Sequence, residues 1–225
     1  MTDLKLGRLE RFDPKSKNYP LLSTVETKEI KTKIWRTSDS LNQGTEGACV
    51  GFAWAHELAA APLKMKDVTA DRAQLFYQMA QLNDPWNGGS FLPKNSPLYY
   101  EGSSILGGAK ALHKAGIIKE YKWCFGIEDV KVALSNVGPV VVGTKWFEGM
   151  ADPNKGYWVK PTGAVTGGHA YLIYGISVEQ KAFYILNSWG PNWGYKGRAR
   201  ISFSDFDTLL KDNGEACSAI DFSIQ

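Results

Sequence analysis

The stretch that decides the fold is residues 43–49, QGTEGAC, which runs directly into the apolar residues 50–55, VGFAWA. A glycine-containing turn followed by apolar residues predicts a largely buried helix over residues 48–61, ended by Pro62. Cys49 would lie in the first turn of this helix, where the helix dipole favours a thiolate over a thiol. A lone cysteine in such a helix is more often a buried structural residue, so a catalytic role needs further support.

Two later segments supply candidate partners for this cysteine. His169 follows two glycines in residues 167–174, GGHAYLIY, at the head of a predicted strand. Asn187 ends the next apolar run, in residues 183–194, FYILNSWGPNWG. An asparagine there can accept a hydrogen bond from an imidazole and fix its tautomer, and Trp189 could keep water away from that bond. Each segment alone also fits a plainer interpretation: a satisfied histidine in a strand, or an aromatic turn that closes a hairpin.

Together, the three segments resemble the active-site segments of the papain-like cysteine peptidases. They occur in that family's order, with the cysteine early and the histidine and asparagine far downstream. The likeness extends to residues 100–104, YEGSS, which are similar to the family's glycine-rich substrate-binding segment. Residues 137–142, VGPVVV, are similar to the Gly-Pro strand that begins its second half. The resemblance covers roughly residues 35–225.

The resemblance implies a role for each matching catalytic residue. Cys49 would be the nucleophile, and His169 its general base and later the acid for the leaving amine. Asn187 would orient His169, and Gln43 would stabilise the oxyanion together with the Cys49 backbone amide. The implied activity is that of a cysteine-type endopeptidase that cuts peptide bonds through an acyl-enzyme thioester. We expect a thiolate–imidazolium pair over a broad pH range, because each charge stabilises the other.

The resemblance also implies a substrate groove. Gly102 and Ser103 would offer backbone groups to an extended peptide and pair with it like an added strand. Trp189 would shield the catalytic residues from water, and Gly168 would leave the groove wall open. Cys217 is a candidate for lining the substrate pocket.

Several positions depart from the family's pattern. Glu46 stands where the family usually has a second cysteine, so the disulfide which that residue would form is absent. Val50 replaces the usual aromatic residue after the nucleophile, and Ser103 replaces a glycine. The family's long inhibitory propeptide has no counterpart before Cys49. We therefore expect an enzyme that is made active, or one that is restrained by its amino-terminal arm or by a partner.

The predicted fold class is α+β, because helical patterns dominate the first half of the chain and short β-branched runs the second. We expect a papain-like two-subdomain fold with the active site in the cleft between a helical half and an antiparallel β-barrel-like half. An arm at residues 1–33 would pack partly on a catalytic domain at residues 34–225, divided at about residues 136 and 137. The predicted helices span residues 48–61, 69–82 and 103–115, and the predicted strands residues 137–143, 157–160, 170–176, 183–187 and 198–203.

Composition limits the classes of function. The 225 residues are 44% hydrophobic and 22% charged with a net charge of +3, which fits an ordinary folded domain without a nucleic-acid-binding surface. Three cysteines and three histidines lack metal-site spacing, so we expect no metal and no cofactor. The sparse cysteines and the lack of a signal-like or membrane-spanning segment predict a cytoplasmic protein. Cys124 is expected to be structural.

Three functions stay open from the sequence. The leading one is an endopeptidase that cuts unfolded or extended polypeptides. The second is an amidase, isopeptidase or transpeptidase that uses the same residues on one linkage. The third is an idle papain-like fold that serves as a binding module, although all four catalytic residues are present. The expected partners are a polypeptide substrate and a protein inhibitor or regulator, with no nucleic acid and no membrane, and we expect a monomer.

Overall fold

A computed structural model describes residues 5–26, 29–153 and 156–220 and shows an α+β fold. Three α-helices precede most of the antiparallel sheet, and two further α-helices lie between its later strands. The α-helices are α1 Cys49–Ala59, α2 Ala70–Asn83, α3 Ile105–Lys114, α4 Ile127–Asn136 and α5 Phe203–Lys211. The strands are β1 Lys33–Ile34, β2 Glu120–Cys124, β3 Val140–Phe147, β4 Val165–Ser177, β5 Ala182–Leu186, β6 Arg198–Ser202 and β7 Glu215–Ile220.

Helices α1, α2 and α3 confirm the three predicted helices, with ends shifted by one or two residues at most positions. Thr69 caps α2 as predicted, since its side chain accepts a hydrogen bond from the Arg72 backbone amide. Every residue of α1 up to Leu58 is buried. Gly51 lets α2 approach α1, because a Cβ there would lie 2.4 Å from the Tyr77 backbone nitrogen. The nucleophile candidate therefore lies on a helix that is fixed on several sides.

The sheet has the strand order β2-β7-β3-β4-β5-β6, with β1 paired to β4, and all of these pairs are antiparallel. Its two faces enter different cores: Val141 packs with the first three helices, whereas Val140 and Val142 pack on the opposite face. The sheet is open and does not close into the barrel-like half expected from the sequence. The predicted strand at residues 157–160 is reduced to a single bridge between Trp158 and Arg200.

Besides the two-residue strand β1, four elements were not predicted from the sequence: β2, α4, α5 and β7. Strand β2 forms the edge of the sheet beside β7, although it lies within residues 34–136. Helix α4 packs on the second face of the sheet, where Val130 and Leu134 share a core with Ile173. The cleft therefore lies between helices α1–α3 and the sheet. The helical half and the β half of the fold do not match the first and second halves of the chain, because β2 belongs to the sheet.

Two buried ionisable side chains connect α1 to its surroundings. His56 accepts a hydrogen bond at Nε2 from the Leu41 backbone amide, at 3.0 Å. Glu57 accepts one at Oε1 from the Ala219 backbone amide, at 2.9 Å. Burial raises the pKa of Glu57 to about 8 and lowers the pKa of His56 to about 3. Both groups are therefore neutral in much of the pH range in which the protein is folded.

Replacing Glu57 with Gln should change the pH dependence of stability. The pKa of Glu57 is about 8 in the folded protein against 4.5 for an unperturbed group, so folding takes up protons between these values. Relative to Glu57→Gln, the wild type should lose unfolding free energy as pH rises from 5 to 8, on the order of a few kcal/mol. Urea denaturation across this range measures the difference. Glu128→Gln, on the exposed side of α4, is the control and should follow the wild type. If the unfolding free energies of the wild type and Glu57→Gln change in parallel with pH throughout, Glu57 does not titrate in this range.

Candidate active site

Cys49 is the first residue of α1 and is fully buried. Its sulfur accepts a hydrogen bond from the Ala170 backbone amide, at 3.4 Å. Burial raises the pKa of the Cys49 thiol to about 12, and the backbone amides of Ala170, Gly7 and Val50 act in the opposite direction. The sulfur is therefore surrounded by N–H donors that would favour a thiolate, but water is excluded and the thiol is protonated.

His169 lies on β4, next to the residue whose amide reaches the sulfur. Its Nε2 atom is 2.7 Å from Asn187 Oδ1, which also accepts the Ser188 backbone amide at 2.8 Å. Because this oxygen can only accept, Nε2 must carry the proton and Nδ1 must present a lone pair. Nδ1 is buried and has no hydrogen-bond partner among the described residues. Nδ1 is therefore a base without a hydrogen-bond partner, and it belongs to the strand that contacts the Cys49 sulfur.

Two tryptophans enclose the imidazole. Trp189 stacks on His169 with ring centroids 4.7 Å apart, and Trp146 meets it edge-on at 4.8 Å. The shielding role predicted for Trp189 matches this position, whereas Trp146 gave no signal in the sequence. Burial lowers the pKa of His169 to about 4, and its hydrogen bond with Asn187 opposes this shift. The imidazole is therefore neutral at neutral pH.

Gln43 is held by both ends of its side chain. Its Oε1 atom accepts a hydrogen bond of 2.6 Å from the Ser188 hydroxyl, which fixes the orientation of the amide. Its Nε2 atom donates to the carbonyl of Glu46 at 2.9 Å and to that of Lys5 at 3.2 Å. The Lys5 carbonyl also accepts from the indole of Trp189, at 3.1 Å. A carbonyl oxygen already occupies the place at which Gln43 donates its hydrogen.

This carbonyl belongs to the amino-terminal arm, which lies in the cleft in extended form. The backbone amides of Gly7 and Arg8 both donate to the carbonyl of Gly168, at 3.1 and 3.0 Å. Ser103 donates to the Gly7 carbonyl and accepts from the Leu9 amide, each at 2.9 Å. Arg8 and Ser103 form a parallel bridge. The backbone groups expected to bind substrate are therefore bonded to the protein's own chain.

Gly102 was predicted to bind substrate together with Ser103, but its backbone groups have different partners. Its amide donates to the Tyr77 hydroxyl at 2.9 Å, and its carbonyl accepts from the Gln81 side chain at 3.0 Å. Both backbone groups are thus used inside the fold, and Ser103 alone of the two pairs with the arm. Gly102 has φ +98 and supports the close approach of the arm, since a Cβ there would lie 2.6 Å from the Gly7 carbonyl oxygen.

The protonation state of the pair differs from the expected thiolate–imidazolium. Both pKa shifts favour the uncharged forms of Cys49 and His169, and burial is the main cause of each. The sequence-based expectation assumed an accessible cleft, whereas the arm covers both groups. In this structure the arm therefore covers both groups, and their uncharged forms are favoured.

In the described ranges, no helix is long and apolar enough to cross a membrane, and no group of three or more potential metal-ligating side chains occurs. All three cysteines are buried and unpaired. Cys217 lies in the core shared by the helices and the sheet, and Cys124 lies in the core on the opposite face.

Comparisons with known proteins agree with this arrangement. Residues 109–213 match the model of the papain family of cysteine proteases. An uncharacterized peptidase C1-like protein of Acanthamoeba polyphaga mimivirus is 23% identical over 83% of this chain and 74% of its own length. Cathepsin B-like cysteine proteinase 3 of Ostertagia ostertagi is 41% identical, but over only 28% of this chain and 38% of that protein. Xylellain, a cysteine protease from Xylella fastidiosa, has a similar fold with a TM-score of 0.70 and 18% identity, covering 97% of this chain and 96% of its own.

Substituting Gly7 with Ala should open the cleft. A Cβ on Gly7 would lie 2.0 Å from the Gly47 carbonyl oxygen, and both partners are backbone, so the arm must move. Overpacking of this kind costs about 1–3 kcal/mol, which should speed iodoacetamide labelling of Cys49 about tenfold or more. Mapped mass spectrometry measures the rate. Gly126→Ala is the matched control, because a Cβ there meets nothing within 4 Å. Equal labelling rates for wild type and Gly7→Ala would mean that the arm does not limit access to the sulfur.

Proposed function

We propose that this chain, which is a papain-like cysteine peptidase, acts as an endopeptidase through Cys49, His169 and Asn187. The observation that carries the proposal is the buried hydrogen bond between His169 Nε2 and Asn187 Oδ1, which leaves Nδ1 free as a base. The next residue on the strand donates its amide to the Cys49 sulfur. A base with a fixed tautomer thus lies on the strand that contacts the thiol, and nucleophilic catalysis would pair the two groups.

The first half of the reaction forms the acyl-enzyme. Cys49 transfers its proton to His169 Nδ1, and the resulting thiolate attacks the carbonyl carbon of the peptide bond. The oxyanion of the tetrahedral intermediate accepts hydrogen bonds from Gln43 Nε2 and the Cys49 backbone amide. Removing such a donor commonly costs about 3–4 kcal/mol. Protonated His169 then gives its proton to the leaving amine, the C–N bond breaks, and a thioester remains.

The second half releases the acid. His169 takes a proton from water, and the hydroxide attacks the thioester carbonyl in the same oxyanion site. The C–S bond breaks, the sulfur leaves as a thiolate, and the proton returns from His169 to it. Asn187 holds the imidazole in one tautomer during both halves, because its oxygen is fixed by the Ser188 amide.

The substrate would be an extended polypeptide segment. Ser103 and Gly168 would offer it the backbone groups that now bind Gly7, Arg8 and Leu9. Pairing of this type needs no particular side chains and therefore suits cleavage of unfolded or extended chains. Trp189 would exclude water from the bond between His169 and Asn187.

The arm would keep the enzyme inactive until it is displaced. It takes up the Ser103 and Gly168 hydrogen bonds and places a carbonyl against Gln43, so it and a substrate compete for the same groups. Division into an arm at residues 1–33 and a catalytic domain at residues 34–225 is part of this proposal. A cytoplasmic location, a monomeric state and an inhibitor or regulatory partner stay predictions, and the three unpaired cysteines fit a reducing compartment.

Digestion of an unfolded protein tests the proposal. The full chain carrying Gly7→Ala should cleave labelled casein, and adding Cys49→Ala should abolish cleavage. In the same background, His169→Ala should lower the rate by about 10²- to 10⁴-fold, and Asn187→Ala by less, since Asn187 only orients the base. The fluorescence released per minute measures each rate.

Labelling with an epoxide that reacts with activated thiols provides the control. A single adduct at Cys49 in Gly7→Ala, lost when His169→Ala is added, would support an activated pair. Adducts that form equally with and without His169, together with intact casein, would reject the proposal in favour of an idle fold. Cleavage at one linkage only would indicate an isopeptidase or a transpeptidase.

A further inference from the structure

Trp146 on β3 is the centre of a group of aromatic rings that contains the proposed base. The residue is buried, with 1% of its surface exposed. Its ring centroid lies 4.8 Å from that of His169 and 5.3 Å from that of Trp189. Tyr171 and Trp193 follow at 5.6 and 6.3 Å. Trp146 therefore contacts both the imidazole and the rings around it, and the proposed mechanism gives it no role.

The register of the sheet brings Trp146 to the imidazole. Trp146 is paired with Gly167 on β4, and Thr144 is paired with His169. Residues that are paired directly, or that are two apart on one strand, point to the same face of a sheet. Trp146 and His169 are therefore diagonal neighbours on one face. Gly167 has no side chain in the position opposite Trp146, and this leaves room for the indole beside the imidazole.

The imidazole lies in a corner formed by two rings. Trp189 is stacked on it, with an angle of 29° between the ring planes. Trp146 is at 72° to the imidazole and at 80° to Trp189. A single stacked neighbour allows a ring to slide and to turn within its own plane, whereas a second ring at a steep angle blocks this movement. The two tryptophans together restrict both the tilt and the rotation of the imidazole.

The other restraints on His169 do not fix the plane of its ring. The second torsion angle of a histidine side chain is broad, so rotamer preference alone leaves the ring free to tilt. The hydrogen bond to Asn187 restrains one atom, Nε2. Within the described part of the chain, Nδ1 has no hydrogen-bond partner that would restrain the other side of the ring. Packing against the tryptophans is therefore the remaining restraint on the direction of Nδ1.

The ring of Trp146, and not its N–H group, makes this contact. In the described ranges, its Nε1 atom is buried and has no hydrogen-bond partner. Phenylalanine keeps a flat aromatic ring and is therefore the conservative replacement at this position. Leucine removes the ring but keeps an apolar side chain in the core.

We propose that Trp146 is a positioning residue for the general base. Together with Trp189 it holds the imidazole in one plane, so that Nδ1 keeps a single direction while it takes the proton of Cys49 and passes it on. This inference rests on the proposed peptidase function and adds a residue to it. Proton transfer depends steeply on such alignment, since a misplacement of about 1 Å can cost about 10²-fold in rate.

The two rings also keep water away from the imidazole. Burial lowers the pKa of His169 to about 4, against an ordinary value of 6.5, and the hydrogen bond with Asn187 opposes this shift. Without the ring of Trp146, water can reach the imidazole and stabilise its charged form. The pKa of His169 should then rise.

Ionisable groups on the surrounding elements do not reverse the sign of this change. They are Cys49 on α1, Tyr171 on β4, Lys145 on β3 and Arg8 on the arm. Burial raises the pKa of Cys49 and that of Tyr171, so both are uncharged at neutral pH. Lys145 and Arg8 are paired with Asp212 and Glu215. Loss of the Trp146 ring leaves these pairs in place, and the entry of water is the main change.

Nuclear magnetic resonance of the imidazoles tests the proposal without any turnover. The full chain with Cys49→Ala contains three histidines, so the Cε1–H signal of His169 can be followed. Titration between about pH 4 and 8 should place its midpoint near the lower end of this range. Adding Trp146→Leu should raise the midpoint by at least about 1 pH unit, and adding Trp146→Phe should leave it nearly unchanged.

Turnover of labelled casein by the full chain with Gly7→Ala gives the second readout. Trp146→Leu should lower kcat at least about tenfold, because the base is no longer aligned. It should change KM by less than about threefold, since Ser103 and Gly168 still bind the substrate. The acidic limb of the kcat/KM profile reports protonation of the base and should move to higher pH. Trp146→Phe should retain both kcat and the profile.

Phe206→Leu is the matched control. Phe206 is fully buried in the same core, where its ring contacts that of Phe183 at 5.2 Å. Its loss should lower the stability without moving the titration midpoint of His169 or kcat. Equal effects of Phe206→Leu and Trp146→Leu, or effects that Trp146→Phe does not prevent, would overturn the assignment. An unchanged midpoint and an unchanged kcat in Trp146→Leu would also overturn it.

Trp146→Met takes the place of Trp146→Leu if circular dichroism shows that the leucine variant does not fold. A chain that cleaves no casein with Gly7→Ala would reject the peptidase proposal, and the imidazole titration would then decide the role of Trp146 alone. A midpoint raised by the loss of the ring supports its contact with the base, and an unchanged midpoint rejects it.

Discussion

The contact between the amino end of α1 and strand β4 sets the position of the proposed catalytic groups. The Ala170 amide donates to the Cys49 sulfur, and the preceding residue, His169, has its imidazole against the two tryptophans. Helix α1 cannot retreat, because Gly51 lets α2 pack directly against it. Asn187, at the end of β5, is brought to the imidazole by the pairing of β5 with β4. The cleft is formed where the amino end of α1 meets strand β4.

Backbone groups in the walls of this cleft bind the amino-terminal arm. The arm pairs with Ser103 and Gly168, and its Arg8 side chain donates to the buried carboxyl group of Glu215. Burial beneath the arm then raises the pKa of Cys49 and lowers the pKa of His169, so neither group is charged. One segment therefore covers the thiol and the imidazole together. In the proposed enzyme, the arm and a substrate would bind to the same backbone groups.

The sequence predicted the elements whose signals are local. Helix α1 and the strands that carry His169 and Asn187 could be predicted because apolar runs and turns mark their ends. The role of Gln43 was implied only by the resemblance to the papain-like peptidases. Strand β2 and helix α4 were missed, since their packing depends on β7 and the second sheet face. The pair of Arg8 and Glu215 joins residues separated by 207 positions, which no local pattern can reveal. Cys217 was a candidate for lining the substrate pocket because its segment resembles the part of the family's chain that returns to the cleft, but Glu215, on the same face of β7, is the residue that contacts the arm.

The central claim is that the arm lies in the cleft of the full chain in solution. Residue-resolved amide hydrogen exchange tests it most directly, because the Gly7, Arg8 and Leu9 amides donate to Gly168 and Ser103. The account predicts that these amides exchange slowly, with protection approaching that of the sheet amides of β4. Exchange of all three at the rate of an unstructured peptide, with β4 still protected, would contradict it.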